Sequence, residues 1–216
     1  MWFSREDYAG NDASEMRLLA LITRLKQTCN HDLESGESVK LDALQLILEG
    51  LSGPADKILI FSQYVETLRW VAERIQPFPQ DIYHGGLDEG TRDRMLRQFT
   101  EAAGPKALLV SLRAGGVGLN LQSATAVVLF DRWWNPAVEN QAIARAHRFG
   151  RDHPLHVYRF VVGNTIEERI ARILHDKENL FQEYVEDAQS VEIRPFSRQE
   201  LLKMLDLHTQ QRASTN

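Results

Sequence analysis

Gln141, Arg145 and Arg148 stand four and then three residues apart in a stretch that reads Asn135-Pro136-Ala137-Val138-Glu139-Asn140-Gln141-Ala142-Ile143-Ala144-Arg145-Ala146-His147-Arg148-Phe149-Gly150. Asn135 is a good helix N-cap, Pro136 suits the first helical position and Gly150 suits the stop, so the pattern predicts one helix over residues 136–149. At this spacing one face of that helix presents an amide and two guanidiniums. No acidic residue lies one turn away on the same helix to pair either arginine. Guanidinium forks match phosphate oxygens two at a time and do not lose their charge. The chemistry suggested is an anion, a phosphate above all, held opposite the arginines. The plainer alternative is a solvated basic face.

A second stretch tips the balance. Residues 111–121, Ser-Leu-Arg-Ala-Gly-Gly-Val-Gly-Leu-Asn-Leu, place three glycines directly after an apolar run. Glycines there let backbone N–H groups approach a phosphate or ribose with no Cβ in the way. Alone such a loop is more simply a tight turn; beside the arginine helix it reads better as a ligand loop. The chain nevertheless contains no Gly-Lys dipeptide, and so no GxxxxGK loop to grip the remaining phosphates. Asp88-Glu89-Gly90 looks like a magnesium-binding acidic motif but follows no hydrophobic strand, and is read as a helix start. The chain carries half of a nucleotide site.

Other chemistry is thin. Of Trp133 and Trp134, one is expected to pack inside and the other to sit at a rim, where an indole can wedge against sugars or bases. His147, His153 and His156 show no metal-ligand spacing, and Cys29-Asn30-His31 is too tight and too lone for zinc. No metal site is expected, and no Ser-His-Asp or Cys-His nucleophile is apparent.

These residues need elements to position them. Residues 13–29 and 41–51 read as apolar-striped helices. Residues 57–62 are a short, nearly continuous apolar run, the mark of a strand buried on both faces. Then follow a helix (65–75), strand (81–84), helix (89–99), strands (106–111 and 126–131), the arginine helix, and a strand (155–162). A last helix opens at Asn164 or Thr165, with Glu167 or Glu168 near the capping-box position and Ile166, Ile170, Ile173 and Leu174 as its stripe. Strands alternating with helices predict an α/β fold, a parallel sheet with helices on both faces. Chemistry in such a sheet gathers at the carboxyl ends of its strands, where the informative loops all fall.

Composition sets the bounds. Hydrophobic residues at 43% and charged residues at 25% are ordinary for a globular chain, and 216 residues suffice for a proper core. Net charge is −5, so any polyanion site is a local patch, such as Arg92, Arg94 and Arg97, or Arg145, Arg148, Arg151 and Arg159. A single cysteine excludes an internal disulfide framework. No apolar run approaches membrane-span length and no leader is recognised, so no membrane partner is expected.

At this point the motifs resemble the second, C-terminal RecA-like lobe of Swi/Snf-type ATPases, a branch of superfamily-two helicases. The resemblance covers about Leu18 to Ile173. Arg24-Leu25-Lys26-Gln27-Thr28-Cys29-Asn30-His31 is similar to the family's LRxxCNHP segment, with Asp32 in place of proline. Lys40-Leu41 and residues 57–63 resemble SxKL and KxLIFSQ (motif IV). Residues 84–99 resemble DGxTxxxxRxxxxxxF, and residues 111–121 resemble motif V (TxAGGxGLNL), with Ser111 for threonine and Arg113 where lysine is common. Residues 131–141 resemble DxxWNPxxxxQA, and residues 141–150 motif VI (QAxxRxHRxGQ), with Arg151 replacing the final glutamine.

The resemblance implies a lobe of three parts: residues 1–52 a helical lead-in, 53–165 the RecA-like core and 166–216 a C-terminal helical extension. It implies the second motor lobe of an ATP-driven double-stranded DNA translocase. Arg148, as arginine finger, would face the γ-phosphate with Arg145 and Gln141, and Gly116, Gly118 and Asn120 would lie near the nucleotide. Gln63, the backbone at Gly85, Ser111, Arg113 and Trp134 would contact DNA. The cofactor would be ATP with Mg2+, the magnesium held by an N-terminal RecA-like lobe of the same protein, without which this lobe would be inactive. Such a protein would work in a bacterial cytoplasm or a eukaryotic nucleus. Trp2-Phe3 directly after Met1 leaves no room for the first lobe and reads as the start of a piece of a longer protein. The competing reading is a non-hydrolysing DNA- or protein-binding regulatory module; an RNA helicase lobe is disfavoured by the Trp-Asn-Pro segment.

Overall fold

Lys57–Ser62 forms β1, and all six residues are buried, as a strand covered on both faces requires. The computed structural model describes residues 13–51, 53, 55–112, 121–133, 135–147, 153–184 and 198–205. They form two compact units, Asn30–Val162 and the segments outside it.

In the unit Asn30–Val162, β1 is followed by α3 (Val65–Arg74), β2 (Gln80–Tyr83), α4 (Glu89–Glu101), β3 (Lys106–Ser111), β4 (Ala126–Leu129), α5 (Pro136–Ala146) and β5 (His156–Arg159), and preceded by α2 (Val39–Gly50). The five strands pair in parallel in the order β2-β3-β1-β4-β5. Alternation along β1 divides the core in two. Ile58 and Ile60 pack with Leu41, Leu44 and Leu48 of α2 and Leu68, Val71 and Ala72 of α3. Leu59 and Phe61 face the other way, onto Phe99 of α4 and Ala142 and Ala146 of α5. Helices thus cover both faces, the RecA-like arrangement expected.

Local signals set the helix ends. Ser38 caps α2: its hydroxyl accepts from Leu41 N–H at 3.1 Å and donates to the Asn30 carbonyl at 2.6 Å. Asp88 caps α4 by accepting from Thr91 N–H at 2.9 Å, so Asp88-Glu89-Gly90 is a helix start. Bonds from Thr91 hold that carboxyl below its ordinary range. Asn135 accepts from Ala137 N–H at 2.8 Å with Pro136 in the first turn, as the sequence predicts. The far end of α5 differs. It stops at Ala146, with His147 turned to φ −101° and ψ 88° as C-cap, so the helix is shorter than the expected 136–149. Strands β4 and β5 are also shorter than predicted, because Phe130 and Phe160 keep one ladder bond each, to Phe61 and Leu129, just beyond the paired register.

The other unit contains α1 (Ala13–Asn30) up to Cys29, α6 (Ile166–Tyr184) and α7 (Arg198–Met204). At the start of α6 Glu168 accepts from Asn164 N–H at 2.8 Å and Thr165 from Glu167 N–H at 3.2 Å, the capping pattern expected. Its Ile166, Ile170, Ile173 and Leu174 are buried. Helix α7, which packs on α6 and buries Leu201 and Met204, falls in the expected C-terminal helical extension but was not singled out: three apolar residues in seven show little period. Among the described residues no helix is long and apolar enough to cross a membrane.

Candidate functional site

Because β3, β1 and β4 are neighbours, their carboxyl ends bring Ser111, Ser62-Gln63 and Phe130-Asp131 side by side. Asp131 is fully buried. Its Oδ2 accepts from the Ser62 hydroxyl and from Asn30 Nδ2, the latter at 3.3 Å, and its Oδ1 accepts from Gln63 N–H at 3.0 Å. Asn30 also donates to Thr67 Oγ1 at 3.2 Å. Lys40 Nζ donates to Asn30 Oδ1 and to the Phe130 carbonyl, both at 2.9 Å. A lysine and an aspartate thus meet inside the lobe through one asparagine. A buried carboxylate is tolerable only with such partners.

Beyond Asp131 the chain turns into α5. Glu139, 1% exposed, accepts from Arg132 Nε on both carboxylate oxygens, at 2.9 and 3.0 Å, and from Trp133 N–H at 2.6 Å. The Trp133 ring is partly buried against the core, the fate expected for one of the two tryptophans. On the same helix Gln141 is exposed and Arg145 half-buried. The Arg145 carbonyl accepts from Leu121 N–H at 3.3 Å, which ties the end of the glycine-rich segment to the arginine helix.

The predicted site residues fare differently. Gln141 and Arg145 share α5, one turn apart, as expected of two of the three residues on that face. Gly85 is exposed and a Cβ on it would meet nothing within 4 Å, so its backbone is open to approach. Two residues expected on the rim are inside. Gln63 is 3% exposed, with its amide donating to the Arg132 carbonyl, and Ser111 is also 3% exposed. In this arrangement neither side chain is presented at the surface. Arg113, Gly116, Gly118, Asn120, Trp134 and Arg148 lie outside the described residues. Sequence reasoning missed Asn30, Lys40, Asp131 and Glu139 as organisers. The available signals were an aspartate ending an apolar strand and a glutamate directed back from the first turn of a helix. Among the described residues no three of His, Cys, Asp and Glu gather as a metal site.

The chain next to Asn30 is fastened by stacking. The His31 ring lies on Trp70 with centroids 4.3 Å apart and planes at 12°, and the Arg74 guanidinium lies 4.3 Å from the centre of the same indole. Burial first, then the Arg74 charge, lower the His31 pKa from its ordinary 6.5, against an opposing pull from Asp32. The unfolded chain therefore takes up this proton first. The stabilisation from a neutral His31 is complete above pH 6.5 and declines as pH falls below it. An NMR titration should place the imidazole midpoint below 6.5, and Arg74→Gln should raise it. A midpoint at or above 6.5 would show that the stack is not formed in solution.

Comparison with known proteins agrees with this geometry. Residues 39–150 match the family described as helicase conserved C-terminal domain. The chain is 35% identical over 203 residues to an uncharacterized ATP-dependent helicase of Mycoplasma pneumoniae, covering 90% of this chain and 19% of that protein. It is similar to the SWI2/SNF2 ATPase C-terminal domain of Sulfolobus solfataricus, with 30% identity and a TM-score of 0.66, covering 93% of this chain and 86% of that one. The SWI2/SNF2 ATPase core from the same organism, solved in complex with dsDNA, is 28% identical with a TM-score of 0.64, over 93% of this chain and 44% of that one. The chain spans 19–22% of the length of three curated relatives named as ATP-dependent helicases. With β1, β3 and β4 converging on one set of loops, and Gln141 and Arg145 beside them on α5, the chain belongs to the helicase conserved C-terminal domain family, as the RecA-like C-terminal lobe of a Swi/Snf-type superfamily-two ATPase.

Proposed function

We propose that this lobe is one half of an ATP-driven double-stranded DNA translocase, closing on an N-terminal RecA-like lobe of the same protein. The observation that carries the reading is the double use of α5. The helix offers Gln141 at its middle and Arg145 in its last turn, while Glu139 of the same helix holds the Arg132-Trp133 loop. The likeness to a SWI2/SNF2 core solved with dsDNA supports DNA as the track.

In this reading ATP binds between lobes, and the partner lobe supplies the phosphate loop and the Mg2+-binding acid. This lobe supplies Arg145 and Arg148, whose guanidiniums offset charge on the γ-phosphoryl group, while Gln141 orders the groups around the attacking water. Gly116, Gly118 and Asn120 approach the nucleotide. Gly85, Arg113 and Trp134 meet the DNA, with Gln63 and Ser111 shaping their loops from beneath. The motor would act wherever its DNA lies, a bacterial cytoplasm or a eukaryotic nucleus.

The test is ATP hydrolysis by the full-length protein, with and without double-stranded DNA. Turnover stimulated by DNA, and absent from the isolated lobe, is the expected result. DNA binding with no hydrolysis in any form would replace the motor with a binding module.

A further inference from the structure

Glu139 is an acidic side chain in an unusual position. It lies in the first turn of α5, where the helix dipole favours a negative charge. Yet it is 1% exposed and turned back onto the preceding loop, where three hydrogen bonds from Arg132 Nε and Trp133 N–H converge on its two oxygens. Arg132 continues the connection, because its carbonyl accepts the Gln63 amide, and the Gln63 N–H is bound to Asp131. An unbroken series of bonds therefore runs from the helix bearing Gln141 and Arg145, through Glu139 and the Arg132-Trp133 loop, to the end of β1. Being buried, Glu139 touches neither a nucleotide nor DNA.

We propose that Glu139 is the positioning residue that links α5 to the β4–α5 loop, so that DNA contact at the loop and ATP turnover at the helix rise together. The inference rests on the reading of the lobe as half of a DNA-stimulated ATPase. The physical requirement for such a link is a stiff connection between two elements that must move as one. A carboxylate gripping a half-buried guanidinium and a backbone N–H supplies it: the pair sits at 14% and 2% side-chain exposure, where solvent screens little. A glutamine at this position would keep one acceptor for Trp133 N–H. It would lose the charge and the second oxygen that hold Arg132, and the loop would no longer follow the helix.

The test compares ATP turnover by the full-length protein at saturating double-stranded DNA with turnover in its absence. Glu139→Gln should lower that ratio by about five- to hundredfold, the usual range of a coupling between two sites. Glu139→Asp, which restores the carboxylate, should recover part of the ratio. The double variant Glu139→Gln with Arg132→Met removes both charges of the pair together. It serves where the single variant folds poorly, and its ratio should be no lower than that of Glu139→Gln alone, because both changes break one link. An equal fall with and without DNA would confine Glu139 to shaping the ATP face and overturn the inference. An unchanged ratio would overturn it as well. Absence of DNA stimulation in the wild type is a different failure, that of the motor reading itself.

Discussion

Arg148→Ala in the full-length protein is expected to lower DNA-stimulated ATP turnover by about 10³–10⁵-fold, the effect of removing an arginine finger. A guanidinium contributes here because charge grows on the phosphoryl oxygens in the transition state and a planar fork can meet two of them at once. One feature of the lobe bears on the choice between the two arginines. Arg145, the other candidate, is half-buried on the helix, and its carbonyl is bound to Leu121 N–H at 3.3 Å. The loss should appear in kcat, with DNA binding intact, and Arg148→Lys should restore little, since an ammonium cannot reproduce the fork. Turnover that survives in Arg148→Ala and collapses in Arg145→Ala would move the finger to Arg145.

The second large effect concerns stability. Asp131→Ala should reduce the unfolding free energy by about 3–5 kcal/mol, the usual result of removing one member of a buried charged network. The variant strips acceptors from Ser62, Gln63 N–H and Asn30 at once, and so loosens the asparagine that holds the buried Lys40 ammonium. At the sensitivity of a chain of this size, the midpoint of thermal unfolding should fall by about 6–20 °C. Asp131→Asn keeps one acceptor oxygen and should cost about 1–3 kcal/mol. If both variants melt with the wild type, the network is not formed in solution.

Much of the fold was legible. The β1 and β3 strands were read to the residue because an apolar run buried on both faces, bounded by Lys and Ser, admits little else. The start of α5 was legible from Asn135 and Pro136, whereas its end was not: Gly150 offered a stop signal, but the backbone already leaves the helix at His147. The organising network was invisible for a different reason. Asn30 and Asp131 are 101 residues apart in sequence, and each charged member in isolation looks like an ordinary surface residue. Gln63 and Ser111 were expected at the surface because loops at strand ends default there. Both are 3% exposed, Gln63 with its amide on the Arg132 carbonyl. The roles assigned to Arg148, Gly118 and Trp134 came from motif resemblance, since spacing alone points only to an anion.

The strand order has a consequence for what this lobe can hold. From β1 the chain builds β2 and β3 to one side, then crosses to build β4 and β5 on the other, so the winding reverses between the carboxyl ends of β1 and β4. In open sheets of this type the notch at such a reversal is where a guest molecule settles. Here Asp131, Ser62, Asn30 and Lys40 fill it with bonds to one another. The notch is taken up by the lobe's own side chains. A small molecule designed against it would have to displace a lysine and an aspartate already bound to one shared asparagine, and is better aimed at the loops above.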